Sequence, residues 1–455
     1  MSTPKPQLKP GDIIDCTADA LATGGKAVCR VDGLAVFVQD GLPGQKMRAR
    51  VEKVGKRFAE AVMVKTLSEP DHPAEPFCPH FGDCGGCRWQ HLDYQRQLYW
   101  KRRFVADSLQ RLGGLDCEDL VEQTIPSFDM QNFRNKMEFA FSDQGPALHL
   151  GLKRRGSELV MNAEHCKLMP EPAMDIVQTV REHCRASGLP AYDRTNGSGV
   201  WRHLVLRRNQ RGQFLVHLIA GKGGKLDQVI EPLAEALLAR FDDISTITLG
   251  IRSRRDKLAQ AEESFAVHGS GFIFEEMDGL RFRLVSDSFF QTNTPTAQQL
   301  YAQVLNMADL QGSEYVLDLF CGVGSIALQL ARHAEEVSGC EISKQAARDA
   351  KVNAKANGLD NCKFVAGDVL KLLKNERRHP DVIVTDPPRS GMKPQVLERI
   401  MELAPRRIVY VSCDPATLGR DSRILSSKYT LKKAVPVDLF PHTPHVETAA
   451  LFEMN

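Results

Sequence analysis

Short apolar runs alternate with polar positions in the first part of the chain, as in Ala35-Val36-Phe37-Val38 and Ala61-Val62-Met63-Val64. Turn signals at Gly24-Gly25, Asp32-Gly33 and Gly41-Leu42-Pro43-Gly44 separate them, which predicts a small five-stranded barrel within residues 1–66. Pro70, Pro73 and Pro76 leave no room for helix or ladder, so 68–76 reads as a stiff polar linker and a domain boundary. Leu98, Val105, Leu109 and Leu112 then recur at helical spacing, and Gly113-Gly114 supplies a stop, predicting an amphipathic helix near 92–112. Residues from about 125 to 280 mix strand and helix patterns without clean alternation, so 67–280 is taken as a central α+β domain. From 281 to 455 the pattern becomes strand, glycine turn, helix, strand, acid, helix. Strands are expected at 315–320, 336–340, 363–365, 382–385 and 407–411, with a helix at 325–331. That alternation predicts an α/β domain with a doubly wound, Rossmann-like parallel sheet.

Composition narrows the setting. With 455 residues, 42% hydrophobic and 25% charged, the chain is too long for one core and fits neither a disordered nor a fibrous protein. Its apolar runs fall far short of the roughly 18 residues that suggest a membrane span. Residues 1–10 carry no apolar signal core, so a cytoplasmic protein with no membrane partner is expected. Lys and Arg number 59 against 57 Asp and Glu, so contact with nucleic acid has to come from local patches. One such patch is Lys46, Arg48, Arg50, Lys53, Lys56 and Arg57 beside Phe58; others are 153–155, Arg207-Arg208 and 252–257. Twelve cysteines in a reducing compartment point to metal binding or catalysis where they cluster, not to a disulfide framework.

The candidate chemistry gathers at predicted strand ends. Asp318-Leu319-Phe320-Cys321-Gly322-Val323-Gly324-Ser325 passes from strand to helix, and its glycines let a ligand approach the backbone. Glu341 ends the next strand, where an acid can hold a ribose. Gly322-x-Gly324-x-x-Ala327 also satisfies a dinucleotide fingerprint, so NAD competes with S-adenosylmethionine. Two acids favour the latter: Asp318, placed to meet a cationic amino group, and Asp368 after Gly367, placed to read an adenine amine. Asp386-Pro387-Pro388-Arg389 forms a rigid acid-Pro-Pro loop like that of amino-group methyltransferases, with Arg389 where those carry an aromatic ring. Cys413 ends the following strand and is a nucleophile candidate if it faces the cofactor cleft.

Taken together, residues 11–455 resemble the RNA uracil-5 methyltransferases that act on 23S ribosomal RNA or on the tRNA T-loop. The resemblance rests on Ser288-Phe289-Phe290-Gln291-Thr292-Asn293, Asp318 to Gly324, Asp386-Pro387-Pro388-Arg389, Ser412-Cys413-Asp414-Pro415 and His445-Val446-Glu447-Thr448. It implies an S-adenosylmethionine pocket lined by Gln291, Phe320, Glu341, Asp368 and Asp386, with Ser325 where many members carry Asn. It also implies Cys413 as the nucleophile on uracil carbon 6 and Glu447 as the base that removes the carbon 5 proton. The first domain resembles the TRAM module, an OB-like RNA-binding barrel.

Cys78, Cys84, Cys87 and Cys166 form the remaining cluster, and spacing alone leaves zinc and iron–sulfur open. The family precedent implies a 4Fe-4S cluster that is structural or contacts RNA. The expected activity is methylation of a uridine in 23S ribosomal RNA by a monomeric enzyme, with tRNA the other RNA considered. An amino or protein methyltransferase and a non-catalytic TRAM RNA-binding factor are the competing functions.

Overall fold

The computed structural model describes residues 8–143, 147–223 and 226–455. Strands β1 (Ile13–Leu21), β2 (Ala27–Val31), β3 (Leu34–Gln39), β4 (Lys46–Val54) and β5 (Phe58–Thr66) close a barrel in the order β1-β2-β3-β5-β4. Along β4 the strict alternation puts Met47, Ala49 and Val51 inside and Lys46, Arg48 and Arg50 outside. The barrel core does not end at the barrel. Trp89, Leu92, Trp100 and Phe104 complete the same apolar cluster. The 68–76 segment is docked accordingly, with Asp71 N–H donating to Pro43 O (2.9 Å) and Ala74 N–H to His91 O (3.1 Å).

Helix α1 (Tyr94–Arg111) is capped by Asp93, whose carboxylate accepts from the Gln95 and Arg96 amides. Two of its faces are buried. Trp100 and Phe104 enter the barrel cluster, whereas Val105, Ala106 and Leu109 enter the C-terminal core. Lys101, fully buried between them, pairs with Asp438 and donates to Phe440 O at 3.0 Å.

The central region builds β6 (Lys136–Ser142), β7 (His149–Lys153), β8 (Val160–Asn162), α2 (Ala173–Ala186), β9 (Trp201–Arg208), β10 (Phe214–Ala220), α3 (Asp227–Arg240), β11 (Ile244–Ile251) and β12 (Glu263–His268). Its sheet runs β12-β11-β10-β9-β6-β7-β8. One parallel pair, β10 with β11, is joined through α3 inside an otherwise antiparallel sheet.

The hairpin β13 (Ile273–Met277) and β14 (Leu280–Leu284) packs Met277, Phe282 and Leu284 into the C-terminal core. There follow α4 (Thr294–Ala308), β15 (Tyr315–Leu319), α5 (Ser325–Ala331), β16 (Glu336–Glu341), α6 (Lys344–Ala356), β17 (Cys362–Ala366) and α7 (Val369–Asn375). The domain ends with β18 (Val382–Thr385), α8 (Pro394–Leu403), β19 (Arg407–Ser412), α9 (Pro415–Leu425), β20 (Tyr429–Val437) and β21 (Glu447–Met454). The sheet order is β17-β16-β15-β18-β19-β21-β20, parallel except for β21. Strand order reverses beside β15, which opens a crevice at the carboxyl ends of β15 and β18. Helix α1 lies against α9 on one face of this sheet. A Cβ added at Gly419 of α9 would sit 2.4 Å from Ser108 O, so these two helices approach backbone to backbone. No helix among the described residues is long and apolar enough to cross a membrane.

The basic clusters read from sequence are for the most part neutralised in the fold. Arg48 makes a two-pronged pair with Asp15 (2.7 and 2.9 Å). Lys153 and Lys257 share Glu158, Arg154 and Arg155 pair with Asp83 and Asp40, Arg252 with Asp256, and Arg254 with Glu262. Arg207 is buried. Lys56 and Arg57, at the β4–β5 turn, are exposed and make no ion pair among the described residues. Replacing both with Ala should therefore lower RNA affinity at low salt and flatten the log–log salt dependence by about 1.4 to 1.8 if each meets one phosphate. Filter binding across a salt series reads this out, and an unchanged slope would leave both cations a solvated face. Point substitutions suit this test better than removal of the barrel, which would uncover Trp89, Trp100 and Phe104.

Candidate active site

One cavity of about 1240 Å³ opens at the carboxyl edge of the C-terminal sheet. It is larger than the roughly 300–1,000 Å³ typical of small-ligand sites, which leaves room for a cofactor together with a nucleotide. Gln291, Phe320, Glu341, Asp368, Asp386, Cys413 and Glu447 all line it. Ser325 does not line it: its hydroxyl is 3.1 Å from the Tyr301 hydroxyl at the start of α5, so it braces helix against helix.

The turn after β15 is built for close approach. Phe320 holds a left-handed backbone (φ 65°), a costly state for a non-glycine residue, and Gly322 follows at φ 55°. Glu341 reaches across from β16, accepting from Gly322 N–H at 3.0 Å and Ser343 N–H at 2.6 Å. Asp368 caps α7 through the Lys371 amide (3.1 Å). Gln291 leaves β14 on a loop fixed from the central sheet: Asn135 donates to Gln291 O (2.8 Å), and Arg207 donates to Ser286 O (3.1 Å) and Ser288 O. Phe289, 66% exposed, projects at the cavity mouth.

Electrostatics distinguish the acids. Asp318 is fully buried, and neither carboxylate oxygen finds a hydrogen-bond partner at bonding geometry. Burial, then the nearby Asp386, pushes its carboxyl well above the usual range. A buried acid without a partner is costly unless a cation compensates it. Asp318 does not itself line the cavity, but its neighbours Asp386 and Glu341 do; the amino group of S-adenosylmethionine is such a cation, so the residues present fit this cofactor. Burial raises Asp386 to about 7.

Cys413 stands just beyond β19, and Glu447 begins β21, the strand paired with β19. Burial, then Glu447 and Asp386, pushes the Cys413 thiol up to about 12, while Arg389 pulls it down. Glu447 is raised to about 8 by burial and then by Asp386, and its Oε2 has no hydrogen-bond partner. Arg389 itself lies 2.6 Å from Nδ1 of His445, whose own pKa burial lowers to about 4 so that a neutral ring can accept. The cavity thus holds a thiol, two carboxyls poised near neutrality and one guanidinium.

Cys78, Cys84, Cys87 and Cys166 line a second, small pocket together with Phe77 and Phe81. Burial raises Cys87 to about 12 and Cys166 to about 11. Arg134 stands beside both, with its Nε buried and unpartnered. Among the described residues no group of three or more His, Cys, Asp or Glu side chains is arranged to hold a metal ion.

Two contributions were not anticipated from sequence. Phe265 and Ser264 of β12 line the cavity from the central domain, and no local pattern marks an edge strand that crosses to another domain's site. Arg207 supports the Gln291 loop from below. Its place after the apolar run Leu204-Val205-Leu206 is a sign of burial that a count of cations overlooks.

Residues 211–455 match the family model described as tRNA (uracil-5-)-methyltransferase. An uncharacterized RNA methyltransferase of Nitratidesulfovibrio vulgaris is 46% identical over 449 residues, covering 97% of this chain and 96% of that protein. Another from Chlorobaculum tepidum is 34% identical, covering 100% and 99%. Among solved structures, Pyrococcus abyssi tRNA (uracil-54, C5)-methyltransferase with S-adenosyl-L-homocysteine superposes with a TM-score of 0.76 at 25% identity, covering 96% of this chain and 100% of that one. With the cavity and its acids in place on that shared architecture, the chain belongs to the tRNA (uracil-5-)-methyltransferase family, S-adenosylmethionine-dependent enzymes that methylate RNA.

Proposed function

We propose that the protein makes 5-methyluridine in structured RNA through a covalent adduct between Cys413 and uracil carbon 6. The observation that carries this is the placement of Cys413, just beyond β19, and Glu447, on the paired strand β21, in one cavity that Glu341, Asp368 and Asp386 also line. Carbon 5 of uracil is too weakly nucleophilic to take a methyl group unaided. Addition of the Cys413 thiolate to carbon 6 turns the ring into an enolate and loads electron density onto carbon 5. S-Adenosylmethionine, when bound, would supply the electrophilic methyl group; Glu341 would hold its ribose and Asp368 its adenine amine, with the buried charge of Asp318 behind the lining compensated by its amino group. Glu447 then takes the proton left on carbon 5, the carbon 5–carbon 6 double bond re-forms, and the carbon 6–sulfur bond breaks to release the thiolate. Arg389 is the cation that favours the thiolate before attack. Phe289 is placed to stack on a uridine extruded from its helix.

Incubation with methyl-labelled cofactor and total RNA, followed by nuclease digestion, should place the label in 5-methyluridine. Label on protein alone, or on a base amine, would reject the reading in favour of an amino or protein methyltransferase.

For the RNA, the target we favour is a uridine of 23S ribosomal RNA. The supporting features are the TRAM-like barrel, with its free cations Lys56 and Arg57, and the cysteine pocket, both lying outside the methyl-transfer cavity. The tRNA T-loop is the second reading, favoured by the full-length likeness to the archaeal tRNA enzyme and by the internal pairing of the other basic clusters. Mass-spectrometric mapping of missing 5-methyluridine in a knockout strain separates the two: loss confined to tRNA would overturn the ribosomal choice.

We further propose that the cysteine pocket takes a 4Fe-4S cluster. All four cysteines line it, and the guanidinium of Arg134, whose Nε is buried without a hydrogen-bond partner, would answer the negative charge that thiolate ligation brings. Protein purified without oxygen should be brown with about four iron atoms per chain, and Cys84→Ala should bleach it. Stoichiometric zinc without iron would reject the cluster.

A further inference from the structure

The segment 438–446 delivers Glu447 to the cavity, and contacts from three distant parts of the chain converge on it at His442. The His442 carbonyl accepts from the Arg88 and Trp89 amides (2.8 and 2.9 Å), one and two residues beyond Cys87. Its own amide donates to Gln97 Oε1 (2.9 Å). The imidazole meets the Phe77 ring edge-on at 5.0 Å, next to Cys78, and its Nε2 lies 3.1 Å from Met130 O. His442 holds φ 64°, a left-handed conformation that an L side chain keeps only where its surroundings impose it.

Gln97 is the link. It is 1% exposed, and its amide donates to Trp89 O (3.0 Å) and Leu92 O (2.8 Å) while its oxygen receives the His442 N–H. These three hydrogen bonds of one side chain therefore join the cysteine segment to the segment that carries the base. The barrel adds a third contact: the β1–β2 turn abuts Pro444 at Gly25, and Arg88 donates to Gly24 O at 3.0 Å.

We propose that Gln97 and His442 are positioning residues through which the cysteine segment sets the placement of Glu447, and so the rate at which the methylated uracil is released from Cys413. The inference rests on the covalent mechanism proposed above. In the step concerned, Glu447 accepts the carbon 5 proton, the electrons of that bond close the ring double bond, and the carbon 6–sulfur bond gives its pair back to sulfur. A shift of about 1 Å in such a base can cost on the order of 10²-fold. Formation of the adduct and cofactor binding do not require Glu447 and should be spared.

The test compares the normal protein, Gln97→Met, His442→Ala and Glu447→Gln. Each is mixed with cofactor and with ordinary or 5-fluorouridine RNA, and denaturation-resistant protein–RNA adduct is measured on gels over time. Gln97→Met and His442→Ala should form the fluorouridine adduct at the normal rate and bind cofactor normally by calorimetry. On ordinary RNA both should accumulate adduct that decays on the order of 10²-fold more slowly than normal, approaching Glu447→Gln. His442→Ala keeps the backbone bonds of residue 442 to Gln97, Arg88 and Trp89 and removes the imidazole's contacts with Phe77 and Met130 O, so it tests the side-chain link even if Gln97→Met folds poorly. Release at the normal rate in both variants would overturn the proposal, as would parallel losses of adduct formation, cofactor binding and release. A normal protein that never traps fluorouridine RNA would instead sink the covalent mechanism itself.

Discussion

Cys413→Ala should lower turnover by about 10⁴-fold or more, the scale seen when a covalent nucleophile is removed, while S-adenosylmethionine still binds with nearly normal affinity. The separation follows from the cavity. The thiol stands beyond β19 beside Glu447 and Asp386, whereas Asp318, Glu341 and Asp368, the acids proposed to hold the cofactor, belong to β15, β16 and the start of α7. The normal protein should form a denaturation-resistant adduct with 5-fluorouridine RNA, because fluorine at carbon 5 cannot be abstracted as a proton. Cys413→Ala should form none. Turnover surviving within tenfold of normal would show that another group attacks carbon 6, or that no covalent step exists.

Glu447→Gln should be nearly as inactive in steady state but for the opposite reason. Its adduct forms and does not resolve, so protein–RNA conjugate should build up on ordinary RNA. The pH dependence gives an independent check. The Glu447 carboxyl is raised to about 8, so it is mostly protonated at pH 7 and cannot accept a proton in that form. Single-turnover release should therefore climb nearly tenfold per pH unit below pH 8 and level off above it. The rising limb should vanish in Glu447→Gln. A flat profile in the normal protein, with no conjugate in the variant, would assign the proton to a different base.

The C-terminal half was legible because its central strands β15, β18 and β19 are short, apolar and buried on both faces, and glycines or acids mark strand ends. The segments 315–320 and 382–385 emerge as β15 and β18 to within one residue. The central sheet was harder to read. Its β10–α3–β11 unit is a genuine crossover, but Pro232 interrupts the helical pattern and antiparallel strands flank the unit, so the alternation is lost. Within the site, Asp318, Glu341 and Cys413 follow from their places at the ends of parallel strands. Glu447 has no local mark, since it reaches the cavity only because β21 inserts antiparallel between β19 and β20. Charge was the least transparent property. A sequence displays Arg48 or Arg252 but not the Asp15 or Asp256 that meets it, and Gln97 looks like any polar helix residue until its three partners are seen.

The pairing of Lys101 with Asp438 bears on how the chain is made. The two residues are 337 positions apart, so during synthesis at about 5–20 residues per second the lysine waits roughly 20–70 s for its partner. Local helix formation, by contrast, is complete within microseconds. Through that interval α1 carries a finished apolar face and a cation with no buried home, while Val105 and Leu109 have neither α9 nor the last strands to cover them. The barrel can take up Trp100 and Phe104 as soon as they emerge, which shields one side of the helix. The other side stays open until α9 and the strands that follow it have emerged.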